Sequence, residues 1–98
     1  MVSRERIGAA AALTDLPLWR AAAGRDAIAR DFRFKDFAGA FAFMTAVAGE
    51  AERLDHHPEW SNVYNRVSVT LVTHSCEGVS ALDVALARFI DRAAAESA

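Results

Sequence analysis

The chain has 98 residues, 53% hydrophobic and 24% charged, with 11 basic side chains against 13 acidic and a formal net charge of -2. That composition excludes a disordered chain and a general nucleic-acid binder, whose phosphate contacts need a basic surface. One cysteine excludes an internal disulfide and a multi-cysteine metal site. No apolar run approaches the roughly 20 residues of a bilayer-spanning helix, so no membrane partner is expected. The mixed charge of Ser3-Arg4-Glu5-Arg6 is unlike a signal peptide. The expectation is one cytoplasmic domain over residues 1–98. Much of the hydrophobic fraction is alanine, which buries little area, so part of the core is expected to lie in an interface with a partner subunit.

In chain order, the alanine-rich residues 4–15 predict a helix with Ser3 as a possible N-cap, weakened by Gly8. Pro17 ends it, because a proline disfavours the helical region for the residue before it. Residues 19–21 predict a short strand and residues 23–25 a hairpin turn. Ile28, Phe32 and Phe34 then share one parity against Ala29, Asp31 and Arg33, the alternation of a half-buried strand that Arg30 interrupts. Asp36 stands at an N-cap position. Phe37, Phe41, Met44, Val47, Ala48, Ala51 and Leu54 recur at three and four residues, which predicts an amphipathic helix to about Leu54 with that stripe in the core. Over residues 60–74, Val63, Val67, Val69 and Leu71 oppose Arg66, Ser68 and Thr70, again a strand pattern, with a break near Asn65-Arg66. Residues 76–78 predict a turn. Ser80 and Asp83 form a capping-box variant, and Leu82, Leu86, Phe89, Ile90 and Ala93 mark a last helix, with residues 96–98 fraying. The order and the short connections predict an α+β two-layer sandwich, a four-stranded antiparallel sheet with three helices on one face.

All three histidines lie in two nearby stretches: Glu52-Arg53-Leu54-Asp55-His56-His57-Pro58-Glu59-Trp60 and Thr73-His74. Glu52 precedes His56 by four residues, a spacing at which a helical carboxylate can support an imidazole. Pro58 pushes His57 into extended backbone and turns the two adjacent rings apart. Strand and helix ends meet at one edge of such a sandwich, so the three imidazoles can converge there. Three readings stand open. A metal site would use the imidazoles with Asp55, against the spacing that helical ligands prefer. His57-Pro58-Glu59 superficially resembles part of a zinc deaminase site, but the paired cysteines of that site are missing. Surface or helix-terminal histidines are the plain alternative. Acid/base catalysis is the third, the work imidazole suits near neutral pH.

Residues 55–65, Asp-His-His-Pro-Glu-Trp-Ser-Asn-Val-Tyr-Asn, followed by Leu71-Val72-Thr73-His74 and Gly78-Val79-Ser80 with Asp83, resemble the signature of the pterin-4a-carbinolamine dehydratases. Gly24 to Ile28, Phe32 to Phe37 and Phe43-Met44-Thr45 resemble the same family, so the likeness runs from about Trp19 to Ile90. The resemblance implies dehydration of a 4a-hydroxytetrahydropterin to quinonoid dihydropterin, with no metal or organic cofactor, in the recycling of the pterin of aromatic amino acid hydroxylases. It implies His56 and His74 as the acid/base pair, with Glu52 supporting His56. It implies a pterin-binding role for His57, with Asp55, Pro58, Trp60 and Thr73 around the substrate. Trp60 reads equally as a packed aromatic, Thr73 as a strand residue, and Asp83 most simply as part of the helix cap. The resemblance also implies a homodimer or homotetramer. The alternative it leaves open is a non-catalytic binding module of the same fold, a transcriptional dimerisation cofactor or an assembly factor.

Overall fold

Residues 2–97 are described by the computed structural model, and a period of two organises their sheet. Its strands are β1 (Arg20–Ala21), β2 (Ile28–Arg33), β3 (Glu59–Val63) and β4 (Arg66–Leu71). They lie in the order β1-β2-β4-β3, with every neighbouring pair antiparallel. Ile28 pairs with Leu71 and Phe32 with Val67. With Val69, these side chains are buried on one face. Asp31, Arg33, Arg66 and Ser68 alternate with them and are exposed on the other. The helices are α1 (Ala9–Leu13), α2 (Phe37–Leu54) and α3 (Ala81–Ser97), and α2 packs against both α3 and β4. This is the expected α+β sandwich.

Arg30, which interrupts the strand pattern, faces the helices with Ile28 and Phe32. Its Nη1 donates to Asp91 Oδ1 of α3 at 2.5 Å, and its guanidinium lies 4.4 Å from the Phe32 ring centroid. Trp19 Nε1 donates to the same carboxylate oxygen at 2.9 Å. A cation is tolerated on the covered face because its partner arrives from the helix layer.

α2 begins as expected, with Asp36 accepting a hydrogen bond from the Gly39 N–H at 2.8 Å. Its phase differs from the expected stripe. Ala40, Phe43, Val47 and Ala51 are buried, whereas Phe37 and Phe41 are exposed and lie 5.7 Å apart, centroid to centroid. Two apolar stripes compete on this helix, and the sheet takes the one whose rings meet Phe32 and Phe34.

The expected N-terminal helix shrinks to the five residues of α1. Ahead of it the chain is extended: the N–H groups of Ile7 and Gly8 both donate to the Val79 carbonyl, and Gly8 has φ +88°. Alanine propensity over so short a segment does not overcome the cost of helix nucleation. The strap is held instead by Asp26, whose carboxylate accepts from Ala9 N–H at 2.7 Å, Arg6 Nε at 2.8 Å and Val79 N–H at 3.3 Å. Burial pushes this carboxyl up, but those hydrogen bonds and the Arg6 charge outweigh it and hold it below the ordinary value of 3.8. A depressed folded-state pKa contributes stability that is present above the unfolded value and lost as pH falls through the folded one. Asp26→Asn is therefore expected to cost roughly 1–3 kcal/mol in urea unfolding at neutral pH. The gap from the parent should narrow below the ordinary Asp range, and a gap independent of pH there would contradict the carboxylate's role.

The strand expected over residues 60–74 divides at Tyr64-Asn65, a two-residue hairpin loop in which Tyr64 takes φ +52°. β4 also ends earlier than expected, at Leu71. Thr73 bridges back to Gly78, and His74–Cys76 forms a 3₁₀ turn. The final helix includes Glu96 and Ser97, which were expected to fray. Ala98, expected to fray with them, lies outside the described residues.

Candidate active site

The C-terminus of α2 delivers the paired histidines. Asp55 takes the left-handed conformation at φ +51°, its N–H donates to Glu52 O, and His56 N–H donates to Ala51 O. This is a Schellman closure with aspartate in the position glycine usually fills. Arg4 Nη2 covers the freed carbonyls of Leu54 and Asp55 at 3.3 and 3.0 Å. The left-handed residue turns His56 off the helical surface, and that decides its partner.

His56 is 5% exposed, and its Nε2 lies 2.5 Å from Asp83 Oδ1 in α3. The other oxygen of Asp83 accepts from Ser80 N–H at 2.9 Å and from Thr73 Oγ1 at 2.8 Å. Ser80 Oγ accepts from Leu82 N–H and lies 2.6 Å from Thr73 Oγ1. The hydrogens can be assigned throughout. Thr73 uses its hydroxyl hydrogen on Asp83, so Ser80 donates to Thr73. A carboxylate only accepts, so the hydrogen opposite Oδ1 belongs to His56 Nε2, and in the neutral ring the lone pair is on Nδ1. Among the described residues no buried side-chain nitrogen or oxygen lacks a partner. Nδ1 makes no hydrogen bond among the described residues, so it is not fully buried and solvent reaches it.

Glu52 therefore does not reach His56, as its spacing suggested. Its Oε2 lies 2.5 Å from His57 Nε2, in an exposed pair. An i,i+4 contact requires the helix to continue, and it stops at Asp55. His74 is 73% exposed on its 3₁₀ turn, with Nε2 3.5 Å from Glu59 Oε2. Glu59 in turn takes a two-pronged contact from Arg25, at 2.7 and 3.0 Å. The Arg25 hydrogen bonds hold the Glu59 carboxyl below its ordinary range against a smaller opposing effect of burial, and the Arg25 and His74 charges add to the lowering.

Each imidazole thus has its own carboxylate: His56 with Asp83, His57 with Glu52, His74 with Glu59. No hydrogen bond joins one ring to another. Thr73 is buried and links the backbone at His74 to the His56–Asp83 pair, beyond its expected place as a strand residue. Asp55 is exposed and serves the helix end through its backbone. Pro58 is half-buried, and half-buried Trp60 packs against the hydrophobic core. A depression of about 270 Å³ beside His74 is lined also by Arg25, Asp26, Val72 and Glu77. A larger one of about 870 Å³, lined by Val2, Ser3, Arg4, Arg53, Leu54 and Leu82, contains none of the histidines.

Asp83 as a partner of His56 escapes sequence reasoning. It does belong to the expected capping box, and nothing in a 27-residue separation announces a second contact. Glu59 and Arg25 escape it similarly, because they meet only when the β1–β2 turn, the start of β3 and the end of β4 fold to one end of the sheet.

The chain matches the family described as pterin 4 alpha carbinolamine dehydratase over residues 2–93. A protein of Burkholderia orbicola (strain MC0-3), named provisionally as a pterin-4-alpha-carbinolamine dehydratase, is 60% identical over 85 residues, covering 87% of this chain and 83% of the relative. The crystal structure of a transcriptional coactivator/pterin dehydratase from Brucella melitensis superposes with a TM-score of 0.84 at 54% identity, covering 87% of this chain and 90% of that one. A pterin dehydratase-like protein identified as a RuBisCO assembly factor in the alpha-carboxysome superposes with a TM-score of 0.67 at 25% identity, covering 78% and 88%. With its fold and most of its length matched, the chain belongs to the pterin 4 alpha carbinolamine dehydratase family.

Proposed function

We propose that the protein dehydrates a 4a-hydroxytetrahydropterin, such as 4a-hydroxytetrahydrobiopterin, to quinonoid dihydropterin and water. The reading rests above all on the buried His56–Asp83 pair, which leaves one imidazole lone pair open to solvent. In the reaction the bond from C4a to its hydroxyl oxygen breaks, and the oxygen departs as water after taking a proton. The neighbouring ring nitrogen loses its proton, and a carbon–nitrogen double bond forms. No net redox change occurs. His56 Nδ1 accepts the ring-nitrogen proton, with Asp83 stabilising the imidazolium that results. His74 supplies the proton to the departing oxygen. His57 binds the pterin, with Glu52 orienting it, and Asp55, Pro58 and Trp60 complete the surroundings, while Thr73, expected beside the substrate, is buried and acts through its hydrogen bond to Asp83. All of these groups belong to the chain, and the reaction calls for no metal or organic cofactor.

The setting in this reading is the cytoplasm, where the product returns to an aromatic amino acid hydroxylase. The assembly is a homodimer or homotetramer, supported by the exposed Phe37–Phe41 pair, 47% and 55% accessible in the isolated chain. The same pair favours a second reading, a protein-binding module, of which the coactivator and assembly-factor names among its relatives are examples.

The direct test is dehydration of chemically prepared 4a-hydroxytetrahydropterin. The parent should accelerate the reaction over buffer, and His56→Ala and His74→Ala should each lower kcat by roughly 10²–10⁴. A parent no faster than buffer would remove the catalytic reading and leave the binding module.

A further inference from the structure

We propose that Arg25 and Glu59 are positioning residues for His74, a clamp in which Arg25 fixes Glu59 and Glu59 fixes the imidazole. The inference rests on the dehydratase reading only in what His74 is positioned to do. His74 has no packing to hold its ring: it sits 73% exposed on a 3₁₀ turn. An unrestrained side chain of this kind samples several rotamers, and a proton donor must be held in one. Its ion-pair partner is Glu59 Oε2, 3.5 Å from His74 Nε2.

Glu59 is itself anchored at both ends. Its backbone is the first residue of β3, paired in register with Thr70. Its carboxylate accepts Arg25 Nη1 on one oxygen and Nη2 on the other. Forked arginine–carboxylate contacts constrain orientation as well as distance. Arg25 stands next to Asp26, whose three hydrogen bonds secure the turn, and Gly24 gives that turn φ +75°. A pair this exposed, 44% and 39%, adds little to stability. Its geometric consequence is larger, since it presents one carboxylate oxygen to Nε2, so that in the imidazolium form of His74 the second proton, on Nδ1, is the one turned away from Glu59 and available to the departing oxygen. All three residues are brought together at one end of the sheet, and Arg25 and His74 both line the depression of about 270 Å³.

Histidine-selective ¹⁵N NMR reads the clamp without turnover. In the parent, the neutral form of His74, which is left once its acid proton has been given up, should favour the tautomer with hydrogen on Nε2. Glu59→Gln and Arg25→Leu should each shift its ring signals toward a mixed population, and Arg25→Lys should restore part of the parent pattern. Ring signals unchanged in Glu59→Gln and Arg25→Leu would overturn the proposal. In the dehydration assay, Glu59→Gln should lower kcat roughly tenfold, a fraction of the full acid/base contribution, with KM within about twofold. The same substitution made on His74→Ala should cause no further loss. A loss of equal size on that background would show that Glu59 acts elsewhere. A parent without activity would count against the dehydratase reading, while the ring signals would still decide the clamp.

Discussion

Asp83→Asn should leave the fold near native and lower kcat by roughly 10²–10⁴, the range expected when a catalytic histidine is held in the wrong tautomer. The amide is nearly isosteric with the carboxylate. Its oxygen can still accept from Ser80 N–H and Thr73 Oγ1, which now meet one carboxylate oxygen at 2.9 and 2.8 Å. Its NH₂ group then faces His56 Nε2. A donor opposite Nε2 requires a lone pair there, so the neutral ring carries its hydrogen on Nδ1. The solvent-facing nitrogen becomes a donor where the proposed mechanism needs an acceptor. Circular dichroism and urea unfolding check the fold, and single-turnover kinetics check the step. Full activity in Asp83→Asn would mean that His56 Nδ1 is not the base. Asp83→Ala serves as a contrast. It strips the acceptor from three donors at once and should destabilise the chain as well as inactivate it.

Phe43→Ala should be among the most damaging core substitutions, at about 3–5 kcal/mol. Phe43 is fully buried, with its ring centroid 5.0 Å from that of Phe32 and 4.8 Å from that of Phe34. It joins α2 to β2 and to the segment that follows it. A domain of this size has a total stability of about 5–15 kcal/mol, so the loss approaches the margin for folding. A fall in Tm on the order of 20 °C is expected in thermal unfolding. Phe41→Ala separates the two stripes of α2. Phe41 is 55% exposed in the chain, so any cost it shows should come from assembly and shrink on dilution. A concentration-independent loss as large as that of Phe43→Ala would place the core on the other stripe.

Much of the architecture is legible without coordinates. Strict alternation at Val67, Val69 and Leu71 leaves one face to bury. Asp36 and the Ser80/Asp83 cap mark the starts of the two long helices, because those side chains satisfy N–H groups that a helix cannot satisfy itself. The histidine segments carry the family resemblance, since the order of residues survives in any structure that the chain adopts. The phase of α2 is not legible in this way. Phe37, Phe41 and Phe43 are all apolar, and only contact with Phe32 and Phe34 selects among them.

The candidate site divides along the same line. Sequence alone determined that three imidazoles lie near helix and strand ends, with carboxylates close by in the chain. The tertiary structure decided which carboxylate serves which ring. Asp55 leaves the helix in a left-handed turn, so Glu52 meets His57. His56 swings instead to Asp83 of another helix, and the end of the sheet brings Arg25 and Glu59 to His74. Spacing can state a partnership only while one regular element spans both residues. Once the chain turns out of that element, backbone dihedrals and the packing of distant segments set the distances, and neither is written in the interval between two residue numbers.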